Sequence, residues 1–218
     1  MPRDETEITP ELLLNAYAAG VFPMAEHRGG HTQWIDPRRR GIIPLDRLHV
    51  SKSLKKRIRR GEFEVRVDTA FEQVMQNCAN RDETWINDEI FNLYVELHHL
   101  QQAHSIEYWK DGQLQGGLYG IRLGSAFFGE SMFSTSPDAS KIALVWLTAR
   151  LRAGQFTLLD TQFITDHLAT MGGIEIGRSA YHRRLNYAMQ QLADWNALPL
   201  NATADEVLAL TAALPVVR

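Results

Sequence analysis

Asp111-Gly112 lies between two segments of alternating polar and apolar residues, and this arrangement constrains the chain more than any other feature. An Asp-Gly pair supplies the positive φ angles of a tight turn, so residues 104–110 and 113–122 are expected to pair as antiparallel strands. After Gly124, residues 125–133 read as a third strand and complete a meander. Upstream, Asp68 is expected to cap a helix reaching about residue 78. Asn87 or Asp88 then opens another reaching about residue 101. Downstream, Ser136-Pro137-Asp138 begins a long helix with Leu144, Leu147 and Leu151 at helical spacing. Residues 156–160 form a further strand and residues 179–195 an amphipathic helix. Thr203-Ala-Asp-Glu206 is a capping box ahead of a last helix.

Nearer the start, Thr9-Pro10-Glu11 opens a helix that Gly20 closes. Residues 21–48 are punctuated by Gly and Pro and show no clear period. Residues 51–60 read as a short basic helix ended by Gly61, and Phe63, Val65 and Val67 alternate as a strand. The expected class is α+β, with a small N-terminal domain over residues 1–62 and a larger domain over 63–218. The larger part runs helix, helix, meander, helix, strand, helix, the element order of the acyltransferase fold typified by N-acetyltransferases. Such an order sets a prior and no more, because one fold hosts many chemistries.

Charge narrows the partners. The net charge is −3, yet residues 38–60 hold ten Lys or Arg against one acid, Asp46. A block of +9 in a chain whose remainder carries −12 is the footprint of a polyanion partner, above all a phosphate backbone. The plainer reading is a solvated helix face. At 44% apolar and 22% charged residues, the chain has the composition of a globular protein, which excludes disorder. No run approaches the roughly 18 apolar residues of a membrane helix. The polar, acidic start has no apolar segment of the kind a secretory signal needs, so a cytoplasmic location is expected. Cys78 is the only cysteine, which excludes an internal disulfide.

The candidate chemistry lies in the second half. Glu130 sits between bulky apolar residues on Ala126-Phe-Phe-Gly-Glu-Ser-Met-Phe133, where a carboxylate is costly without a cation or donors. It reads equally as a cation receptor in a cleft and as half of an internal ion pair. Asp160 and Gln162 follow an apolar strand and share a side if the strand continues; alternatively, Asp160 caps the next turn. The turn Phe133-Ser-Thr-Ser-Pro-Asp-Ala-Ser-Lys141 has no glycine, and Asp138 would repel the pyrophosphate of coenzyme A. The eight histidines show no metal-ligand spacing. No serine occupies a nucleophile elbow, and Cys78 has no base near it in sequence.

A set of short motifs then falls in order. It comprises Gly20-Val-Phe-Pro23, Trp34-Ile-Asp-Pro-Arg38, Thr84-Trp-Ile86, His104-Ser-Ile-Glu107, Gly116-Gly-Leu-Tyr-Gly120, Gly129-Glu-Ser-Met-Phe-Ser134, Ala139-Ser-Lys141, Leu159-Asp-Thr-Gln162 and Asp166-His167. Over residues 12–185 the sequence resembles the leucyl/phenylalanyl-tRNA–protein transferases. That resemblance implies an acetyltransferase-like C-terminal domain behind a smaller N-terminal one. It also implies transfer of leucine or phenylalanine from aminoacyl-tRNA to proteins beginning with Arg or Lys, which marks them for degradation.

Carried over residue by residue, the resemblance puts Trp85, Phe127, Glu130, Asp160 and Gln162 in the active-site region. Met24, Trp85, Phe127, Leu147 and Leu151 are then expected to form the aminoacyl pocket, with Met a further donor it would tolerate. Met24 stands where the family usually has a tryptophan, and Leu147 and Leu151 where aromatics are frequent. Glu130 would receive the acceptor's cation. Asp160 would orient Gln162 and take up positive charge developing on the amine, and the Gln162 carbonyl oxygen would accept from that amine. Arg38, Arg39, Arg40, Lys52, Lys55, Lys56 and Arg59 would hold the tRNA. No metal or organic cofactor is expected. Two other readings stay open: a coenzyme A-dependent N-acyltransferase, and a non-catalytic module that binds RNA or basic N-termini.

Overall fold

The computed structural model describes residues 8–25, 31–80, 84 and 86–213. Helix α1 (Pro10–Ala18) begins as expected: the Thr9 side chain accepts from the Leu12 N–H, and proline fills the first turn, where its missing N–H costs nothing. Gly20, at φ 85°, turns the chain out of the helix. Strands β1 (Phe22–Ala25) and β2 (Thr32–Ile35) pair antiparallel as a small separate sheet. Strand β3 (Arg39–Ile42) leads to α2 (Lys52–Arg60), which is capped by Ser51 and ended by Gly61 at φ 65°. Then come β4 (Glu64–Val67), α3 (Phe71–Ala79) and α4 (Asp88–His99).

The expected meander is present as β5 (Ala103–Lys110), β6 (Gln113–Leu123) and β7 (Ala126–Ser134), with Asp111 and Gly112 both at positive φ in the first turn. It is followed by α5 (Ala139–Ala153), β8 (Leu158–Gln162), α6 (Asp166–Thr170), β9 (Ile174–Gly177), α7 (Arg178–Met189) and α8 (Ala204–Leu210). The Thr203–Glu206 capping box is formed.

Seven strands make the main sheet, in the order β4-β5-β6-β7-β8-β3-β9. Every neighbouring pair is antiparallel except β7 and β8, which are joined through α5 and run parallel. One face buries residues of α1, α3, α4 and α7, including Leu13, Tyr17, Val74, Tyr94, Tyr181 and Leu185. The other face buries α5 with Leu54 and Ile58 of α2 and Val207 and Leu208 of α8. The result is the expected mixed α+β fold, a sheet between two helical layers.

Several expectations need correction. Asp68 does not cap α3; at φ 60° it accepts from the Ser105 N–H (2.7 Å) and meets His104 Nδ1 (2.8 Å). Glu107 holds the entry to α3 instead, accepting from the N–H groups of Thr69 and Ala70, both at 2.8 Å. The helix expected to reach residue 195 stops at Met189, and Trp195 stacks separately on His104 and Phe127. The described part of residues 21–48, without a period in sequence, contains β1, β2 and β3. Of these, β3 pairs with both β8 and β9, and α2 packs on the α5 layer. Both elements lie before residue 62 and pair or pack with elements beyond it.

Candidate active site

Strands β7 and β8 pair in parallel only over Ala126–Phe128 and Leu158–Asp160. Beyond that point they part. Gly129 to Ser134 continue along one side, while Thr161 and Gln162 turn away on the other, Gln162 at φ 54°. Parallel strands that separate at their C-terminal ends leave a crevice, the usual seat of a site in such sheets. Here it is a cleft of about 630 Å³. Its apolar wall comprises Met24 from β1, Leu118 from β6, Leu144 and Leu147 from α5, and Leu159 from β8. Glu130 and Gln162 line the same cleft, along with Asn77, Ser131, Thr161 and His167.

Glu130 is half-buried and has no cation in contact among the described residues. Its Oε1 accepts from the Tyr17 hydroxyl (2.8 Å) and from Gln162 Nε2 (3.4 Å), and Tyr17 in turn bonds the Tyr94 hydroxyl. Burial raises the Glu130 carboxyl from its ordinary value to about 8, against the lowering effect of the Tyr17 hydrogen bond. Burial, with the Glu130 charge next, pushes both tyrosines well above their usual range, so they remain donors. The internal ion pair that the sequence left open for Glu130 is therefore not made. A carboxyl hydrogen-bonded by neutral donors, its pKa raised by burial, stands in its place.

The ion pair of this site belongs to Asp160 and Arg40. Asp160 is fully buried, and it accepts from Arg40 Nε (3.0 Å) and Nη2 (2.7 Å), from the Tyr181 hydroxyl (2.6 Å) and from the Gln162 backbone N–H (2.8 Å). Burial opposes the charge on Arg40, and Asp160 outweighs it, so the guanidinium stays above its ordinary value. Asp160 thus holds the backbone of Gln162 and caps the turn there. It has no surface on the cleft, so it cannot take up charge from an amine directly. Gln162 does line the cleft, and no described residue donates to its carbonyl oxygen.

The basic block divides. Arg40, expected on the tRNA surface, is 1% exposed, because β3 is an interior strand of the sheet and its side chain meets Asp160. Arg38, Arg39, Lys52, Lys56 and Arg59 are exposed and Lys55 partly so. Arg39 pairs with Glu175 and Arg59 with Asp205, both on the surface. Asp138, read in sequence as hostile to a phosphate, pairs with Arg57 and Lys141.

Of the five residues expected in the aminoacyl pocket, Met24 and Leu147 line the cleft. Phe127 does not: it alternates to the other face of β7 and stacks on Trp195. Leu151 lies one turn of α5 too far along and is buried in the core. Trp85 lies outside the described residues. Sequence reasoning missed Leu118 and Leu159 as lining and Tyr17, Tyr94 and Tyr181 as donors to the carboxylates. Leu118 and Leu159 did carry a signal, each lying within one of the short motifs, and Leu144 carried its helical spacing from Leu147. Among the described residues, no group of three or more His, Cys, Asp or Glu is placed to hold a metal ion. No helix among them is long and apolar enough to cross a membrane.

A family model described as "Leucyl/phenylalanyl-tRNA protein transferase" matches residues 42–186, and that of the family's N-terminal domain matches residues 6–38. A leucyl/phenylalanyl-tRNA–protein transferase of Ruegeria sp. (strain TM1040) is 57% identical over 189 residues, covering 86% of this chain and 90% of its own. Its counterpart in Cereibacter sphaeroides (strain ATCC 17029 / ATH 2.4.9) is 59% identical over 184 residues, 84% of this chain and 86% of that one. The protein of that name in Nitrobacter winogradskyi is 52% identical over 212 residues, 95% and 94% of the two chains. With a family model across most of the chain and relatives this similar along nearly its whole length, the chain belongs to the leucyl/phenylalanyl-tRNA–protein transferase family.

Proposed function

We propose that this protein transfers leucine or phenylalanine from aminoacyl-tRNA to the α-amine of proteins beginning with Arg or Lys, marking them for degradation. The observation that carries the reading is the cleft, which is lined by a set of apolar side chains and by Glu130 and Gln162. An apolar side chain of the donor fits the wall formed by Met24, Leu118, Leu144, Leu147 and Leu159. The acceptor's cationic N-terminus fits against Glu130 and Gln162.

The aminoacyl ester is already an activated acyl donor, so the protein's task is to hold amine and carbonyl in attack geometry. The neutral amine attacks the ester carbon, the new C–N bond forms, and the C–O bond to the terminal ribose breaks. One proton leaves the amine and one arrives on the ribose oxygen. Glu130, with a pKa of about 8, is matched to an α-amine, whose reference value is also near 8, so proton transfer between them is close to balanced. Gln162 aims the amine through its carbonyl oxygen, and Asp160 acts through Gln162.

The exposed members of the basic block, Arg38, Lys52, Lys55 and Lys56 foremost, receive the tRNA phosphates in the cytoplasm. The N-terminal unit ends near residue 38, before β3 enters the main sheet. Purified protein incubated with charged tRNA and an Arg-starting peptide tests the whole reading. Transfer of the amino acid supports it, whereas binding without transfer favours a module, and use of acetyl-coenzyme A instead favours a conventional acyltransferase.

A further inference from the structure

We infer that Arg40 is a positioning residue for the transfer reaction: one buried guanidinium fixes Gln162 through Asp160 and fixes the opposite wall of the cleft through Gly20. Each part of the guanidinium is engaged. Nε and Nη2 fork onto the Asp160 carboxylate, and Nη1 donates to the Gly20 carbonyl at 2.9 Å. Its two faces are covered by the rings of Phe22 and Tyr181, each centred 4.5 Å away. Asp160 passes the constraint on by accepting from the Gln162 N–H, which holds Gln162 at φ 54°, a region that residues other than glycine avoid. Gly20 passes it the other way, because Phe22, Pro23 and Met24 follow closely and line the cleft. A lysine could supply the charge, but neither the plane nor the fork.

The inference rests on the reading of Gln162 as the group that aims the amine. It also has an electrostatic side. Glu130 is faced by Tyr17 on α1, Tyr94 on α4, Arg40 on β3, Asp160 and Gln162 on β8, and Tyr181 on α7. Arg40 favours the ionised form of Glu130 and Asp160 disfavours it. Removal of Arg40 alone leaves the Asp160 charge uncompensated, which makes Glu130 harder to ionise.

The test measures kcat and KM for transfer from Leu-tRNA to an Arg-starting peptide between about pH 6 and pH 9, with thermal melting alongside. The variants are Arg40→Lys, Arg40→Met and Arg40→Met/Asp160→Asn. Arg40→Lys should lower kcat by about 10- to 100-fold while the KM for charged tRNA stays within about threefold, and the pH profile should not move. Arg40→Met should move the acid limb of the profile to higher pH, and the double variant should bring it back without restoring kcat. Wild-type kcat in folded Arg40→Lys overturns the inference. So does an unmoved limb in Arg40→Met with kcat retained below its melting temperature, which leaves Arg40 a core residue only. Should Arg40→Met fail to fold, Arg40→Lys and the double variant decide. Absence of transfer by the wild-type protein overturns the transferase reading and this inference together.

Discussion

Two carboxylates of the same site are held in opposite ways. Asp160 is buried with a guanidinium and a tyrosine hydroxyl, whereas Glu130 is given only neutral donors. The Glu130 carboxyl therefore titrates near 8 when folded and near its ordinary 4.5 when unfolded. Between those values the unfolded chain binds fewer protons, so the contribution of Glu130 to stability falls as pH rises and levels off above 8. Glu130→Gln removes that penalty. Discounted for the solvent that reaches this half-buried carboxyl, the gain is roughly 1–2 kcal/mol, so the variant should match the wild-type Tm at pH 5 and melt about 2–8 °C higher at pH 8.5. Equal melting at both pH values would mean that the carboxyl is ionised throughout. A second residue-scale outcome concerns the donor. Leu147 closes the apolar wall, so Leu147→Phe should cost Phe-tRNA more than Leu-tRNA. A methylene in such a pocket is worth about 1–3 kcal/mol, and the Leu:Phe ratio of kcat/KM should rise by at least about tenfold. Equal loss for both donors would place Leu147 behind the pocket rather than on it.

Helix α2 shows how a short element can be fully legible. Ser51 and Gly61 mark its ends, and Leu54 and Ile58, at helical spacing, are the two residues it buries. That burial turns the lysines outward. Lys52, Lys55 and Lys56 to Glu should raise the KM for charged tRNA and flatten its salt dependence, by roughly 0.7–0.9 in log–log slope for each phosphate no longer neutralised. An unchanged slope would leave the helix face merely solvated. Strand β3 is the opposite case. Arg39-Arg40-Gly41-Ile42 has no alternation, and its charges read as surface. Its pairing with β8 on one side and β9 on the other makes it an interior strand, and long-range pairing is not written in local pattern. The apolar Ile42-Ile43 that follows is the one local hint. The meander, by contrast, announces itself through Asp111-Gly112, because a two-residue turn fixes the register on both sides.

At the scale of the molecule, the cleft is placed by topology. The parallel pair β7 and β8 stays paired over three residues only, and where the strands part Glu130 and Gln162 line one cleft with Met24, Leu118, Leu144, Leu147 and Leu159. Glu130, Asp160 and Gln162 were legible as unusual polar residues on or after apolar strands. Tyr17, Tyr94 and Arg40 were not, because they arrive from α1, α4 and β3, which are distant in sequence. Phe127 and Leu151 misled for the same reason: apolar residues near the site are core or lining according to a strand's face or a helix's turn. The most direct measurement is the single-turnover rate of transfer from Phe-tRNA to an Arg-starting peptide by the wild-type protein and by Gln162→Ala. Both should bind charged tRNA equally. The wild type should transfer, and the variant should do so about 100-fold more slowly. Transfer by folded Gln162→Ala at the wild-type rate would contradict the claim that the reaction takes place where β7 and β8 part.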